Sequence, residues 1–135
     1  MLDRKFIISV VVIFVMSMAF GFLVHGTILH DDYQRLGSLM RSPESAHGLF
    51  PLMMLATLSA SIGFAWIYIR GREAAKPWLG QGIRFGIAVA LLSTIPMFLI
   101  YYVIMPFPSD LVAQQIVFES ITVIIMGIVV AWINR

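Results

Sequence analysis

The stretch LVAQQIVFESITVIIMGIVVAWIN, residues 111–134, is 24 residues long and carries one formal charge, Glu119. A helix of about 20 residues rises far enough to cross a hydrocarbon core of roughly 30 Å, so this segment can span a bilayer. It has to do so as a helix, because in lipid every backbone amide needs a partner within its own segment. Three further stretches read the same way: Phe6–Leu29, Gly48–Ile69 and Phe85–Ser109, of 24, 22 and 25 residues, with no Asp, Glu, Lys or Arg among them. The expected architecture is all-α: a polytopic integral membrane protein, one transmembrane domain over 1–135 folded as a four-transmembrane-helix bundle. Helices are expected over about 6–29, 46–69, 82–105 and 110–133, with an outer loop over 30–45.

Composition points to the same solvent. Of 135 residues, 60% are hydrophobic and 12% charged, with a mean hydropathy of +0.94. Soluble domains carry about 25% charge and have polar material to cover their surface. The absence of cysteine excludes disulfides, thiolate metal sites, iron–sulfur clusters and covalently attached c-type haem. A net charge of +2 without a basic cluster gives no sign of nucleic-acid binding. Arg4 and Lys5 before an apolar run, and Ser17-Met18-Ala19 within it, resemble a signal peptide with its cleavage site. The run continues to Leu29, however, and the first helix is expected to stay as an anchor.

Lys and Arg in short loops set orientation. Arg4, Lys5, Arg70, Arg72, Lys76, Arg84 and Arg135 fall on one side, seven against the two of the other, Arg35 and Arg41. Both termini are therefore expected in the cytoplasm. Trp66, Tyr68, Trp78 and Trp132 lie at the inner interface on this reading, and Tyr33, Tyr101 and Tyr102 at the outer one. In the outer loop, Tyr33, Leu36, Leu39 and Met40 recur at helical spacing, which predicts a short interfacial helix capped by Asp31 or Asp32. Ser42-Pro43 should open the second span, Pro51 and Pro96 should kink the second and third, and Pro106–Asp110 should form a tight turn into a capped fourth.

Two further patterns concern packing. The ends of the first and third spans resemble each other, as do those of the second and fourth (Trp66-Ile67 beside Trp132-Ile133), which suggests two tandem helical hairpins. Similar apolar helices ending at an aromatic belt are the plainer alternative. Small residues four apart let helices approach closely. They occur as Ser17 and Gly21, as Ala56 and Ala60, as Gly82, Gly86, Ala90 and Thr94, and as Gly127 and Ala131.

Glu119 is the residue that asks for a role. It lies about 13 Å inside the fourth span by helical rise, where an ionised carboxyl facing lipid costs about 2.5 kcal/mol or more. It should face the bundle, with Gln115 and Thr122 on the same stripe. Its readings are a titrating or cation-binding group, or a protonated side chain bonding two helices. His25 lies about 6 Å inside the outer boundary by helical rise, and Tyr101 and Gln115 should reach a similar depth, so His25, Tyr101, Gln115 and Glu119, with His47 at the rim, form a candidate ligand- or proton-binding pocket open to the outside. Interfacial His and Tyr satisfied by water and headgroups are the alternative. A metal site among His25, His30, Asp31, Asp32 and His47, or a haem between His25 and His47, lacks the four-residue His spacing of a strong motif, and no cofactor is expected. Nine methionines within apolar helices read as core filler. No Ser–His–Asp set, Gly-rich phosphate loop or buried carboxylate pair is legible, so no enzymatic activity is expected.

Gly82-Ile83-Arg84-Phe85-Gly86 opening the third span, Pro96 within it, Tyr102, Pro106 and Pro108 closing it, and Gly127 beyond, cover roughly 50 residues. In these the chain resembles a broad group of small bacterial four-helix inner-membrane proteins. The resemblance implies a bacterial inner membrane and the four-helix architecture, and no activity. Small faces on every helix and little aqueous mass give the leading expectation, an accessory subunit packing against partner membrane proteins or itself. A small transporter or solute-binding protein using the Glu119 pocket is the alternative, and a haem- or metal-binding redox subunit a third.

Overall fold

Capping and proline set where the helices begin. In the computed structural model, which describes residues 3–135, Asp3 caps α1 (Arg4–Leu23) by accepting from the Lys5 amide at 3.3 Å. The helix then widens into a π turn, Val24–Ile28, and runs into the short α2 (His30–Arg35). Ser42 caps α3 (Pro43–Gly48), with Pro43 in its first turn, and α4 spans Phe50–Gly71. After a short loop come α5 (Trp78–Val89), a second π turn over Ala90–Thr94, α6 (Ile95–Ile104) and α7 (Ser109–Ile133). Four spans are long and apolar enough to cross a membrane: Arg4–Ile28, Phe50–Gly71, Trp78–Ile104 and Ser109–Ile133. The chain is an all-helical, multi-pass membrane protein, with no strand among the described residues.

Several local expectations need correction. The second span does not kink at Pro51. The chain breaks at Leu49 (φ −97°, ψ 0°), and Pro51 falls in the first turn of α4, where its missing N–H has no helical acceptor to lose. The third span starts at Trp78, earlier than expected, and distorts upstream of Pro96. The proline ring crowds the carbonyl four residues back, that of Leu92, and the π turn widens the helix there. The interfacial helix stops at Arg35, and neither Asp31 nor Asp32 caps it because the π turn feeds straight into it; both lie in its first turn. No side chain caps α7 either, although Asp110 lies in its positively polarised first turn.

α7 is the central post. It packs most extensively on α5, then on α1 and α6, while α1 carries α4 on its other side. The two largest interfaces therefore lie within the hairpins formed by the third and fourth spans and by the first and second. The α5–α7 contact is made backbone to backbone. A Cβ on Gly82 would lie 2.7 Å from the Gly127 carbonyl oxygen, and one on Gly86 would run into the Ile124 backbone. Ala90 and Thr94 continue the buried face. On α1, Ser17 donates to the Met126 sulfur at 3.4 Å, whereas Gly21 has open space where a side chain would go. Ala56 and Ala60 are exposed rather than packed, because α4 meets its neighbours through Ser61, Ala65 and Tyr68, a face about 100° away around the helix.

Polar groups close the end of the bundle that carries both termini. Buried Asn134 donates to Ser9 Oγ at 2.9 Å and to the Val130 carbonyl at 2.8 Å, while the Arg72 guanidinium donates to the Asn134 carbonyl. Lys5 Nζ donates to the Arg135 carbonyl at 2.9 Å. Gln81 clasps the loop between the second and third spans, accepting from the Glu73 amide at 2.6 Å and donating to the Glu73 and Lys76 carbonyls. Phe64 and Tyr68 meet Phe85 edge-on at 4.7 and 5.3 Å between centroids, tying the second span to the third. The main apolar core lies in this half, around Ile13, Ala90, Met126, Val130 and Ala131. A smaller one, Val24, Leu29, Leu36 and Leu111, seals the base of the loop at the other end.

Candidate functional site

The π turn at the end of the first span places His25. Its closing bond, from the Leu29 amide to the Val24 carbonyl at 2.8 Å, encloses one residue more than an α turn and turns the side chains that follow. Leu29, wholly buried, then anchors α2 so that Tyr33 folds back over the imidazole, ring centroids 5.8 Å apart. On α7, Gln115 and Glu119 stand one turn apart on the face toward α1.

These four side chains form one continuous chain of hydrogen bonds. Gln115 Nε2 donates to the Tyr33 hydroxyl at 2.7 Å. His25 Nδ1 lies 2.7 Å from that hydroxyl, and His25 Nε2 lies 2.7 Å from Glu119 Oε1. An amide NH2 can only donate, so the Tyr33 oxygen accepts from Gln115. Because a phenol oxygen has a second lone pair, two arrangements fit the His25 bonds: Tyr33 donates to Nδ1 and Nε2 donates to the Glu119 carboxylate, or Nδ1 donates to Tyr33 and Nε2 accepts from a protonated Glu119. The His25 and Glu119 side chains are 35% and 23% exposed, so the pair is neither sealed in the core nor fully wet. Burial pushes the Tyr33 phenol above its ordinary pKa of 10.0, the Gln115 bond works against this, and the Glu119 and Asp32 charges add to it, so Tyr33 serves as a neutral donor at physiological pH.

Beside this chain opens a cleft of about 700 Å³, lined by His25, Tyr33 and Gln115 on its polar side and by Phe98, Tyr101, Phe107, Met40 and Met105 on its apolar side. A volume of this order suits a drug-sized molecule. Gln115 is 4% exposed, and its Oε1 has no hydrogen-bond partner. No Lys or Arg lines the cleft.

Of the residues expected here, His25, Gln115 and Glu119 come together, and Tyr101 lines the cleft. Glu119 sits behind the imidazole, outside the lining. His47 is not part of the cleft: the break at Leu49 swings α3 away, and His47 lines a separate hollow with Arg41, Pro43 and Phe50. A haem between His25 and His47 does not suit this geometry, since both His25 ring nitrogens are engaged. Among the described residues, no three His, Asp or Glu side chains cluster as metal ligands would. Thr122 shares the Glu119 stripe but donates to the Phe118 carbonyl of its own helix at 2.9 Å. Tyr33 is the member that sequence reasoning missed. The sequence sets it at the outer interface on one helical stripe with Leu36, Leu39 and Met40, and that apolar stripe is the signal that it turns inward.

Compared with known protein families, with curated proteins and with solved structures, the chain matches none. The functional reading rests on the cleft.

Proposed function

We propose that this chain is a non-enzymatic membrane protein that binds a small solute, and a proton with it, in a cleft on the outer side of a cytoplasmic membrane. One observation carries the reading: His25, Tyr33, Gln115 and Glu119, drawn from three separate segments, join in a single hydrogen-bond chain beside the cleft. Structural glue needs no adjoining space of about 700 Å³. The chain of bonds supplies the coupling. When His25 Nδ1 carries a proton it donates to Tyr33 and the hydroxyl turns its own proton toward the cleft; when Nδ1 is bare, the hydroxyl donates to it. Solute binding and protonation are then linked equilibria, each shifting the other by the same factor.

The outward orientation is supported by charge. Seven Lys and Arg lie at the end with both termini, against Arg35 and Arg41 at the cleft end, which favours cytoplasmic termini and, given the resemblance above, a bacterial inner membrane. Native mass spectrometry of the protein released gently from its own membrane tests the reading. The expected species is one chain or a small homo-oligomer carrying a small molecule that Glu119→Gln loses. A bare chain contradicts it.

A hetero-assembly would instead favour an accessory subunit, and one observation supports that second reading. The outward face of α4 presents Leu52, Leu55, Ala56 and Ala60, and Gly63 has open space where a side chain would go. Another helix has room to approach there.

A further inference from the structure

A second hollow lies at the end of the bundle that carries both termini. There α4 packs on α1 and α5 on α7, and the second and third spans meet through the rings of Phe64, Tyr68 and Phe85. On the loop side of those rings they leave a cleft of about 210 Å³. Arg72 and Arg84 line its polar side, and no Asp or Glu stands among the described residues around it. Ile67, Phe85 and Ala88 line its apolar side, and Ile67 and Ala88 are exposed on the surface that the spans turn to lipid. Exposed Trp66 and Trp132 place the membrane interface at this end. Arg84 lies inside that boundary, about 9 Å by helical rise from Trp78, the first residue of α5. A cation at such a depth calls for an anion beside it. The protein supplies only a shared one: Lys76 Nζ and Arg84 Nη2 reach the Glu73 carboxylate at 2.6 and 3.3 Å, while Arg72 donates to a neutral group, the Asn134 carbonyl. Three cations are thus set against one carboxylate.

Each guanidinium carries five N–H donors in a planar fork that matches phosphate oxygens. Arg72 and Arg84 each make one hydrogen bond among the described residues, and the Arg84 side chain is 63% exposed, so donors remain for a ligand. The hollow is smaller than the roughly 300 Å³ at which pockets begin to enclose a drug-sized molecule, so it suits a headgroup whose apolar body stays outside. We infer that this cleft binds an anionic phospholipid: Arg72 and Arg84 hold the phosphate diester, and the acyl chains run along Ile67 and Ala88. A zwitterionic phospholipid fits less well, because its ammonium group adds a further positive charge to the cations already there. A soluble phosphate diester lacks the chains that meet the apolar side. The inference is independent of the solute-binding reading, which concerns the opposite end.

Three probes test this on the whole protein, delipidated in a nonionic detergent, with bound species counted by native mass spectrometry. They are phosphatidylglycerol, phosphatidylcholine with the same acyl chains, and glycerophosphoglycerol, the anionic headgroup without chains. The first phosphatidylglycerol is expected to bind about tenfold or more tightly than phosphatidylcholine, the size of one charge-assisted hydrogen bond. Arg84→Gln should weaken it about fivefold, the contribution of one basic side chain near the headgroups, and leave phosphatidylcholine unchanged. Arg41→Gln, at the opposite end, should change neither. Equal binding of the two lipids would overturn the inference, and so would a preference that survives Arg84→Gln or falls equally with Arg41→Gln. If glycerophosphoglycerol competes as well as the whole lipid, the site takes a soluble phosphate and the lipid assignment is wrong. Should Arg84→Gln fail to fold, Arg72→Gln carries the same expectation, and the wild-type comparison of the three probes can still overturn it.

Discussion

At the end carrying both termini, the third and fourth spans touch backbone to backbone through Gly82, Gly86 and Gly127, and Asn134, Gln81 and Arg72 satisfy the polar groups of the turns around them. At the opposite end the same two helices flank a cleft of about 700 Å³ with a partly exposed His25–Glu119 hydrogen bond and an unpartnered amide oxygen. Both π turns lie between the glycine contact and the cleft or at its edge. The contrast teaches a division of labour. Close packing and satisfied hydrogen bonds concentrate stability in one half, and that surplus lets the other half hold an unsatisfied group and open space. Natural proteins relax the rules of packing and polar satisfaction mainly where a site is built.

The largest expected effect belongs to the closed half. Gly86→Leu forces a side chain into the Ile124 backbone and should cost at least the roughly 3 kcal/mol at the upper end of overpacking penalties, separating the two helices. Its readout is reversible unfolding in mixed micelles. The corresponding change at Gly21, where nothing lies within 4 Å, should leave stability within about 0.5 kcal/mol. Equal effects at both glycines would erase the distinction between a packed and an open face.

In the open half, Tyr33→Phe removes a hydroxyl that both donates and accepts, and should destabilise the protein by about 1 kcal/mol. The pH dependence sharpens this. Because burial first, and Glu119 and Asp32 after it, raise the phenol above 10.0, the folded state holds the Tyr33 proton more tightly than the unfolded chain. That contribution is whole below pH 10 and is lost as pH climbs through the raised value. The gap between wild type and Tyr33→Phe should therefore narrow in thermal melts above pH 10. A smaller effect is expected on α4. Ala56→Leu places bulk on an exposed face and should shift stability by less than about 0.5 kcal/mol. In pull-downs from native membranes it should release a partner if the accessory reading holds, and change nothing if it does not.

The closed half was the more legible in the sequence. Gly82, Gly86, Ala90 and Thr94 at four-residue spacing announce a packing face, since that period needs no tertiary knowledge. Four apolar lengths announce the spans for the same reason. Ala56 and Ala60 have the same spacing and point outward, because spacing identifies a face of a helix without saying which neighbour it meets. The open half was legible in depth and not in direction. Helical rise puts His25 and Gln115 near one level with Glu119 one turn deeper, but the π turn that aims His25 and the fold-back of Tyr33 depend on Leu29 being buried, a tertiary fact. His47 was misplaced for the complementary reason. Pro51 suggested a kink within one helix, and the chain instead breaks two residues earlier at Leu49, moving α3 off the bundle.

The account turns on His25 and Glu119 acting as one unit, and a double-mutant cycle measures that most directly. His25→Phe, Glu119→Gln and the double variant, unfolded in the same lipid at pH 7, should show a coupling of about 0.5 kcal/mol or more, because the two side chains share a bond of 2.7 Å. Strict additivity, within about 0.3 kcal/mol, would mean that the imidazole and the carboxylate stand independently and that the chain of bonds along the cleft does not exist in the membrane.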